Sequence, residues 1–480
     1  MRHHVAAAAG LALASVAIAQ PANIGETPAV QVHLDQRLIE LGLVPLRTLF
    51  DHGELVFDAR FNILDGQGRP ATTGGGAPRV PDQPHMIRTS GPDATSCQGC
   101  HNQPFSGGAG DFVANVFVLA QTLDPVTFSV DPMFSNERNT LGMNGSGPIE
   151  MLAREMTAEL QSLRDAAKAS AAQTGQPQRT ALVAKGVDFG HLTALPNGKI
   201  DPTEIDGVDW DLIVKPFHQK GAVVSLREFT NNAMNHHHGI QTTERFGLGT
   251  DPDQDGMTNE LTTGDVTAAT LWQAQIGAPT QVMPKTNAAR RAVEHGERVF
   301  REVGCVRCHI PEMTLDTQWF VEPNPYNPAG NLRPQDVMRP IRYNMTRDGD
   351  GPHIQALHGG RALVRAFTDL KRHNLNDAEY NHFANEQVTQ GRLNGFAPDS
   401  DFTMVAPPRP TEVFLTRKLW DAGSTAPYGH RGDLSTLTEA IHFHGGDARA
   451  ERDAFFARPQ NDRASVIEFL KSLQVVDERR

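Results

Sequence analysis

"TSGPDATSCQGCHNQPFSGG" occupies Thr89–Gly108 and "EVGCVRCHIPEM" occupies Glu302–Met313. Together the two stretches hold all 4 cysteines of a 480-residue chain. Each sets two cysteines three apart with a histidine immediately after: Cys97, Cys100, His101 and Cys305, Cys308, His309. A disulfide between residues three apart closes a tiny ring and adds little stability, so structural staples explain these pairs poorly. A zinc ribbon sets its knuckles roughly 15–20 residues apart, far closer than these two, and needs neither trailing histidine. A thioredoxin-like pair is conceivable at one site but explains neither the duplication nor the histidines.

Cys-x-x-Cys-His is the attachment signature of c-type haem. Each thiol forms a thioether to one vinyl group, and the next residue presents its imidazole to the iron. One short turn satisfies both demands. The repeated motif therefore predicts two covalently bound haem c groups, attached at Cys97, Cys100, Cys305 and Cys308, with His101 and His309 as proximal iron ligands.

Working outward, an echo precedes both motifs. "LFDHGELVFDA" (Leu49–Ala59) and "AVEHGERVFRE" (Ala292–Glu302) share His-Gly-Glu-x-Val-Phe. The second copy reads as a helix capped by Asn287, with Ala289, Ala292, Val293, Gly296, Val299, Phe300 and Val303 on one face. Gly304 suits a left-handed stop that delivers the chain to Cys305. After the first copy a Gly/Pro-rich loop, residues 64–84, intervenes before Cys97. A helix through Ile149, Leu152, Met156, Leu160 and Leu163 has Pro148 in its first turn. A terminal helix through Val466, Ile467, Leu470 and Leu473 follows an Asn461/Asp462 cap. Strand signals are few, so the expected fold is mainly α: two cytochrome c-like haem domains with long loops and an inserted helical segment, spanning residues 20–280 and 281–480.

The chain opens with "MRHH", an apolar run at Val5–Ala19 and a small-x-small ending at Ala17-Ile18-Ala19, which reads as a cleaved signal peptide over residues 1–19. No later segment approaches the roughly 18 apolar residues of a membrane helix. A periplasmic or secreted protein without a membrane span is expected. The net charge of −12 offers no basic stripe for nucleic acid. An acidic surface suits either plain solubility or a basic redox partner.

The succession of "RNT" (Arg138–Thr140), "GPIEM" (Gly147–Met151), "NHHHG" (Asn235–Gly239), the second haem motif, "AFTDLKRH" (Ala366–His373) and "APYGHRGDLSTLTEAIHFHGG" (Ala426–Gly446) resembles the bacterial di-haem oxidoreductases of peroxidase type. These are similar in turn to di-haem cytochrome c peroxidases. The similarity runs from about Arg47 to Gln474. The resemblance implies that one haem reacts and the other stores or relays electrons. It places His444 as the second axial ligand of the C-terminal haem, opposite His309. Bis-imidazole ligation lowers the potential relative to His/Met. It places His238 as a candidate sixth ligand of the N-terminal haem, against the alternative of a hydrogen-bonded cluster at His236–His238. The relatives usually read His-Asp-Gly-Arg where this chain has Gly429–Asp433, a departure at His430.

Glu150 matches a distal-pocket glutamate that would shuttle the proton of a bound peroxide. The alternative is a first-turn helix acid paired with Arg154. "TDPDQDGMTNEL" (Thr250–Leu261) resembles a calcium loop: Asp251, Asp253 and Asp255 alternate and Gly256 permits the turn. Its twelfth position is Thr262 and its glutamate stands at Glu260, so a turn capping the next helix is the alternative. Trp420 is either core or a bridge between haems. The leading expectation is a peroxidase-like oxidoreductase taking a small oxidant such as peroxide and electrons from a small redox protein or other donor. A non-catalytic electron carrier is the runner-up, and a related oxygenase or amino-acid-modifying enzyme a third reading.

Overall fold

A computed structural model describes residues 25–68, 94–111, 114–115, 137–253, 255–384, 401–404 and 412–477. The apolar leader and most of the 64–84 loop lie outside the described residues. Helix predominates over strand, and the strands that do form are mostly short antiparallel ladders.

The architecture rests on two helix pairs built alike. Helix Leu46–Asp58 crosses helix Thr263–Gln275, and helix Asn287–Glu302 crosses helix Gln460–Ser472. At each crossing a glycine of the His-Gly-Glu echo lets the backbones touch. A Cβ on Gly53 would sit 2.2 Å from the Ala268 carbonyl oxygen, and one on Gly296 would sit 1.9 Å from that of Ser465. The preceding histidines also act alike. His52 Nε2 lies 2.7 Å from Asp265 Oδ1, and His295 Nε2 lies 2.8 Å from Asp462 Oδ1, each aspartate in the first turn of the partner helix. The shared His-Gly pair therefore sets one helix-crossing geometry twice.

Two caps fall one or two residues from where the sequence puts them. The Thr286 hydroxyl, not Asn287, accepts from Ala289 N–H, because it stands three residues before that orphan donor. The terminal helix starts after Pro459, leaving Asp462 inside its first turn, where it serves His295 instead of capping. Gly304 takes φ +92°, the left-handed stop expected ahead of Cys305.

Helix Ser146–Thr174 buries Ile149, Leu152, Met156 and Leu160 in the largest apolar cluster. It packs on a sheet of Gln178–Ala184, Val187–Ala194 and Ile200–Asp201. Lys185 and Gly186, at φ +48° and +81°, form the two-residue turn between its first two strands. That turn type matches strand twist, and the Lys-Gly pair between alternating apolar residues was the readable signal for a hairpin the sequence reading passed over. The same cluster includes Leu271, Ala274, Leu315, Phe320, Tyr343 and Trp420, so one core runs across position 281.

Candidate functional site

Each cysteine pair sits on a single 3-10 turn, Cys97–Gly99 and Cys305–Arg307. In both, the backbone N–H of the following histidine donates to the carbonyl of the first cysteine, at 2.9 Å for His101 and 3.0 Å for His309. None of the four thiols is in a disulfide. Burial pushes the Cys97 and Cys305 thiols up to about 12, so both are neutral S–H groups.

The histidines decide what these turns hold. His101 Nδ1 lies 3.1 Å from the Leu141 carbonyl and 3.3 Å from that of Gly108. His309 Nδ1 lies 3.0 Å from the Phe367 carbonyl. His444 Nδ1 lies 2.7 Å from the Ala440 carbonyl, and His238 Nδ1 lies 2.8 Å from the Ala94 carbonyl. A carbonyl only accepts, so in all four rings Nδ1 carries the hydrogen and Nε2 keeps a lone pair. Metal-ligating histidines are held this way, their second nitrogen tied off by a backbone acceptor. Burial pulls His101 and His309 down to about 4 and lowers His444 as well, keeping these rings neutral, the form that binds iron.

The four fall into two pairs. Burial first, then the neighbouring His444, lowers His309, so the two rings are near enough to interact. His238 Nε2 lies 3.3 Å from Cys97 Sγ, beside the other attachment turn. His238 belongs to a wide turn, Met234–His238, that extends helix Leu226–Ala233 and ends at Gly239, φ +69°. Such π-turns interrupt helices most often at functional sites. The donor set and tautomers thus fit haem at both turns. Phe57 and Phe300, from the echo, flank His101 and His309 at 6.2 and 6.4 Å between ring centroids.

Glu150 is fully buried, but it is not free. Arg154 Nε donates to Oε1 at 3.1 Å, Asn324 Nδ2 donates to the same oxygen at 2.8 Å, and Leu226 N–H donates to Oε2 at 2.8 Å. It belongs to a buried ion network with Glu322, Arg227 and Glu244, where Arg227 Nε lies 2.5 Å from Glu322 Oε1. The helix-paired alternative describes what the structure holds. His430 is buried against Gln219 and the Phe414 ring. Trp420 is buried, its ring lying where a Cβ on Gly145 would fall. The Asp251, Asp253 and Asp255 carboxylates converge, with one oxygen of each within 4.8 Å of the others.

Sequence reasoning missed three groups. Asp265 is shared by His33 and His52, with His33 Nδ1 2.7 Å from Oδ2. His218, at φ +62°, is pulled down to about 4 by burial and the nearby charge of His237. His373 and Asp369, 2.8 Å apart, converge with Cys308 at the edge of the second turn. Only His373 carried a signal, as part of "AFTDLKRH".

Residues 400–473, which contain His430 and His444, match the family model described as "Di-haem oxidoreductase, putative peroxidase". The C-terminal segment is thus similar to that family over these residues. This bears out the resemblance read from the sequence, and the family implies haem as the cofactor. No curated protein matches the chain. Among solved structures, a hydrazine synthase of Kuenenia stuttgartiensis under 20 bar xenon aligns over 98% of this chain and 100% of its own, at 12% identity and a TM-score of 0.34. A MauG-like protein associated with microbial copper homeostasis aligns over 55% of this chain and 71% of its own, at 15% identity and a TM-score of 0.26. Similarity at this level carries neither fold nor chemistry over to this di-haem oxidoreductase match. Among the described residues no helix is long and apolar enough to cross a membrane.

Proposed function

We propose that this chain is an exported, peroxidase-like oxidoreductase of two cytochrome c-like domains, with one haem c bonded at Cys97 and Cys100 and another at Cys305 and Cys308. The observation that carries the reading is the set of four histidines with Nδ1 tied to a carbonyl, one following each cysteine pair and His238 within 3.3 Å of Cys97 Sγ. His101 and His238 would hold the first iron, His309 and His444 the second. Bound haem supplies an iron that changes oxidation state and, at a vacated position, takes a small oxidant.

The protein's own contribution is positional. Phe367 and Leu141 carbonyls fix the proximal rings, and the Ala440 carbonyl, in helix Leu437–His442 whose Thr436–Glu439 capping box locks its start, fixes His444 just beyond the helix end. His238 stands on a wide turn at the end of helix Leu226–Ala233 instead of within a regular helix, which makes it the ligand best placed to leave. An oxidant would need one such position free, and His238 is the residue that would give it up. Hydrogen bonds to both oxygens of Glu150 support a structural role for it over that of a proton shuttle. Trp420 lies between the segments that orient the two proximal rings: Leu419 N–H donates to Ala366 O, next to Phe367, and Trp420 packs on Gly145, near Leu141.

The runner-up, an electron carrier, is favoured by the bound state of Glu150 and by His238 beside Cys97. Electron paramagnetic resonance of the oxidised and half-reduced protein separates the two. A high-spin signal appearing at one iron on half-reduction is the expected result; low-spin signals alone in both states would establish the carrier.

A further inference from the structure

The chain that carries the Phe367 carbonyl is strained at two bulky residues. Phe367 and Leu370 both stand at φ +54°, in the left-handed region that favours glycine. Such strain persists only where the surroundings over-determine it, and it clusters at functional sites. Three hydrogen bonds impose it here. Thr368 N–H donates to the Ile310 carbonyl at 3.1 Å, its hydroxyl donates to the Thr416 carbonyl at 2.6 Å, and Leu370 N–H donates to that hydroxyl at 3.0 Å. The twist holds the Phe367 carbonyl 3.0 Å from His309 Nδ1. The chain then continues as strand Arg372–Asn374, paired with Val413–Leu415.

Beyond that strand the same segment grips the chain just past His444. Gly445 N–H donates to the Leu375 carbonyl, Gly446 N–H donates to Asp377 Oδ2, and Asn374 N–H donates to Asp447 Oδ2, each at 3.0 Å. Neither glycine has room for a side chain. A Cβ on Gly446 would sit 2.4 Å from the Asn374 carbonyl oxygen, and one on Gly445 would sit 2.9 Å from Tyr380 Cβ. The Tyr380 ring also meets His442 edge-on, with 5.5 Å between centroids. Asp377 ties these contacts together. Its Oδ1 accepts from Glu379 N–H and Tyr380 N–H at 2.9 Å and from Arg449 Nη1 at 3.0 Å, while its Oδ2 takes Gly446.

We propose that Phe367–Tyr380 is a strap that positions both axial histidines of the second haem, and that Asp377 is the positioning residue that keeps His444 seated against displacement. This rests on the reading of His309 and His444 as the ligands of that haem, and it supplies a reason for the centre to stay closed to small ligands and serve as the relay. His444 is held from two sides: the Ala440 carbonyl takes its ring, and the strap takes the backbone behind it. Removing a group that orients a ligand without touching the metal typically costs about 10–100-fold in metal affinity or activity.

The test uses the full-length haem-loaded protein and the variant Asp377→Asn. Asparagine keeps an acceptor oxygen for Glu379 and Tyr380 N–H, so the turn survives, but its amide sets N–H against Gly446 N–H and that bond is lost. The paramagnetic resonance signal that His444→Ala abolishes marks the second haem. Cyanide should displace the ligand of that haem at least ~10-fold faster in Asp377→Asn than in the native protein, at unchanged haem content and with the other haem unaffected. Hydrogen exchange at Gly445 and Gly446 should quicken alongside, while helix Gln460–Ser472 keeps its native protection. Gly446→Ala, which drives a methyl into the Asn374 carbonyl, should quicken cyanide entry in the same way and serves if the first variant fails to fold. Native cyanide kinetics in both variants, even with a lowered melting temperature, overturns the strap and leaves Asp377 as a structural residue. A native resonance spectrum in His444→Ala overturns the ligand reading and the strap with it.

Discussion

A ring held through Nδ1 has one lone pair left to give, and four histidines here are held that way. Replacing His444 by alanine should therefore convert one haem from low to high spin in the optical and resonance spectra while leaving the other unchanged; replacing His238 should do the same at the other haem. Both variants giving native spectra would remove the assignment of distal ligands. Glu150 behaves differently. Breaking a buried ion network by removing one partner costs about 3–5 kcal/mol, so Glu150→Ala should lower chemical stability by that order. A variant that lost turnover at native stability would restore the catalytic reading of Glu150. The two cysteine turns with their trailing histidines were legible as local motifs, one turn of chain each. The buried pairs were not: His33 and His52 meet Asp265 across separations of 232 and 213 residues, and no spacing announces such a meeting.

Helix crossings are where the echo has its physical meaning. Gly53→Ala and Gly296→Ala each force a methyl into a facing backbone carbonyl, so each should destabilise by about 1–3 kcal/mol, measured by denaturant unfolding. Equal tolerance of alanine at both would mean the shared glycine is incidental. Helix Thr263–Gln275 also makes a pH prediction. The Asp265 hydrogen bond raises the pKa of His33 against the opposing effect of burial. A raised histidine stabilises fully below its unfolded value, about 6.5, and the contribution is lost as pH climbs through the higher folded value. The melting-temperature difference between the native chain and His33→Ala should therefore shrink as pH rises from about 6 to about 9. The terminal helix was readable from its stripe of Val466, Ile467 and Leu470. Its counterpart Thr263–Gln275 was not, because it is buried all round from Gly264 to Gln275 and shows no polar face to set a period.

At the scale of the whole chain, one apolar core joins segments on both sides of position 281. Trp420 belongs to it and packs on Gly145, while Leu419 N–H donates to the Ala366 carbonyl beside Phe367. If the two haems are present as proposed, Trp420→Phe should slow electron exchange between them at unchanged haem content, followed by stopped-flow reduction. An unchanged rate would leave the residue as core alone. The mainly helical character and the resemblance to di-haem oxidoreductases were legible in the sequence; the hairpin at Gln178–Ala194 and the bond of Glu260 to Gln241 depended on contacts that only the folded chain makes. The central claim is that two porphyrins are bonded to this polypeptide. Intact mass of the processed protein, expressed with a working haem-maturation system, tests it directly: the mass should exceed the bare chain by two haem groups, falling to one in Cys97→Ser/Cys100→Ser and to one in Cys305→Ser/Cys308→Ser. A colourless product at the mass of the bare chain would contradict it.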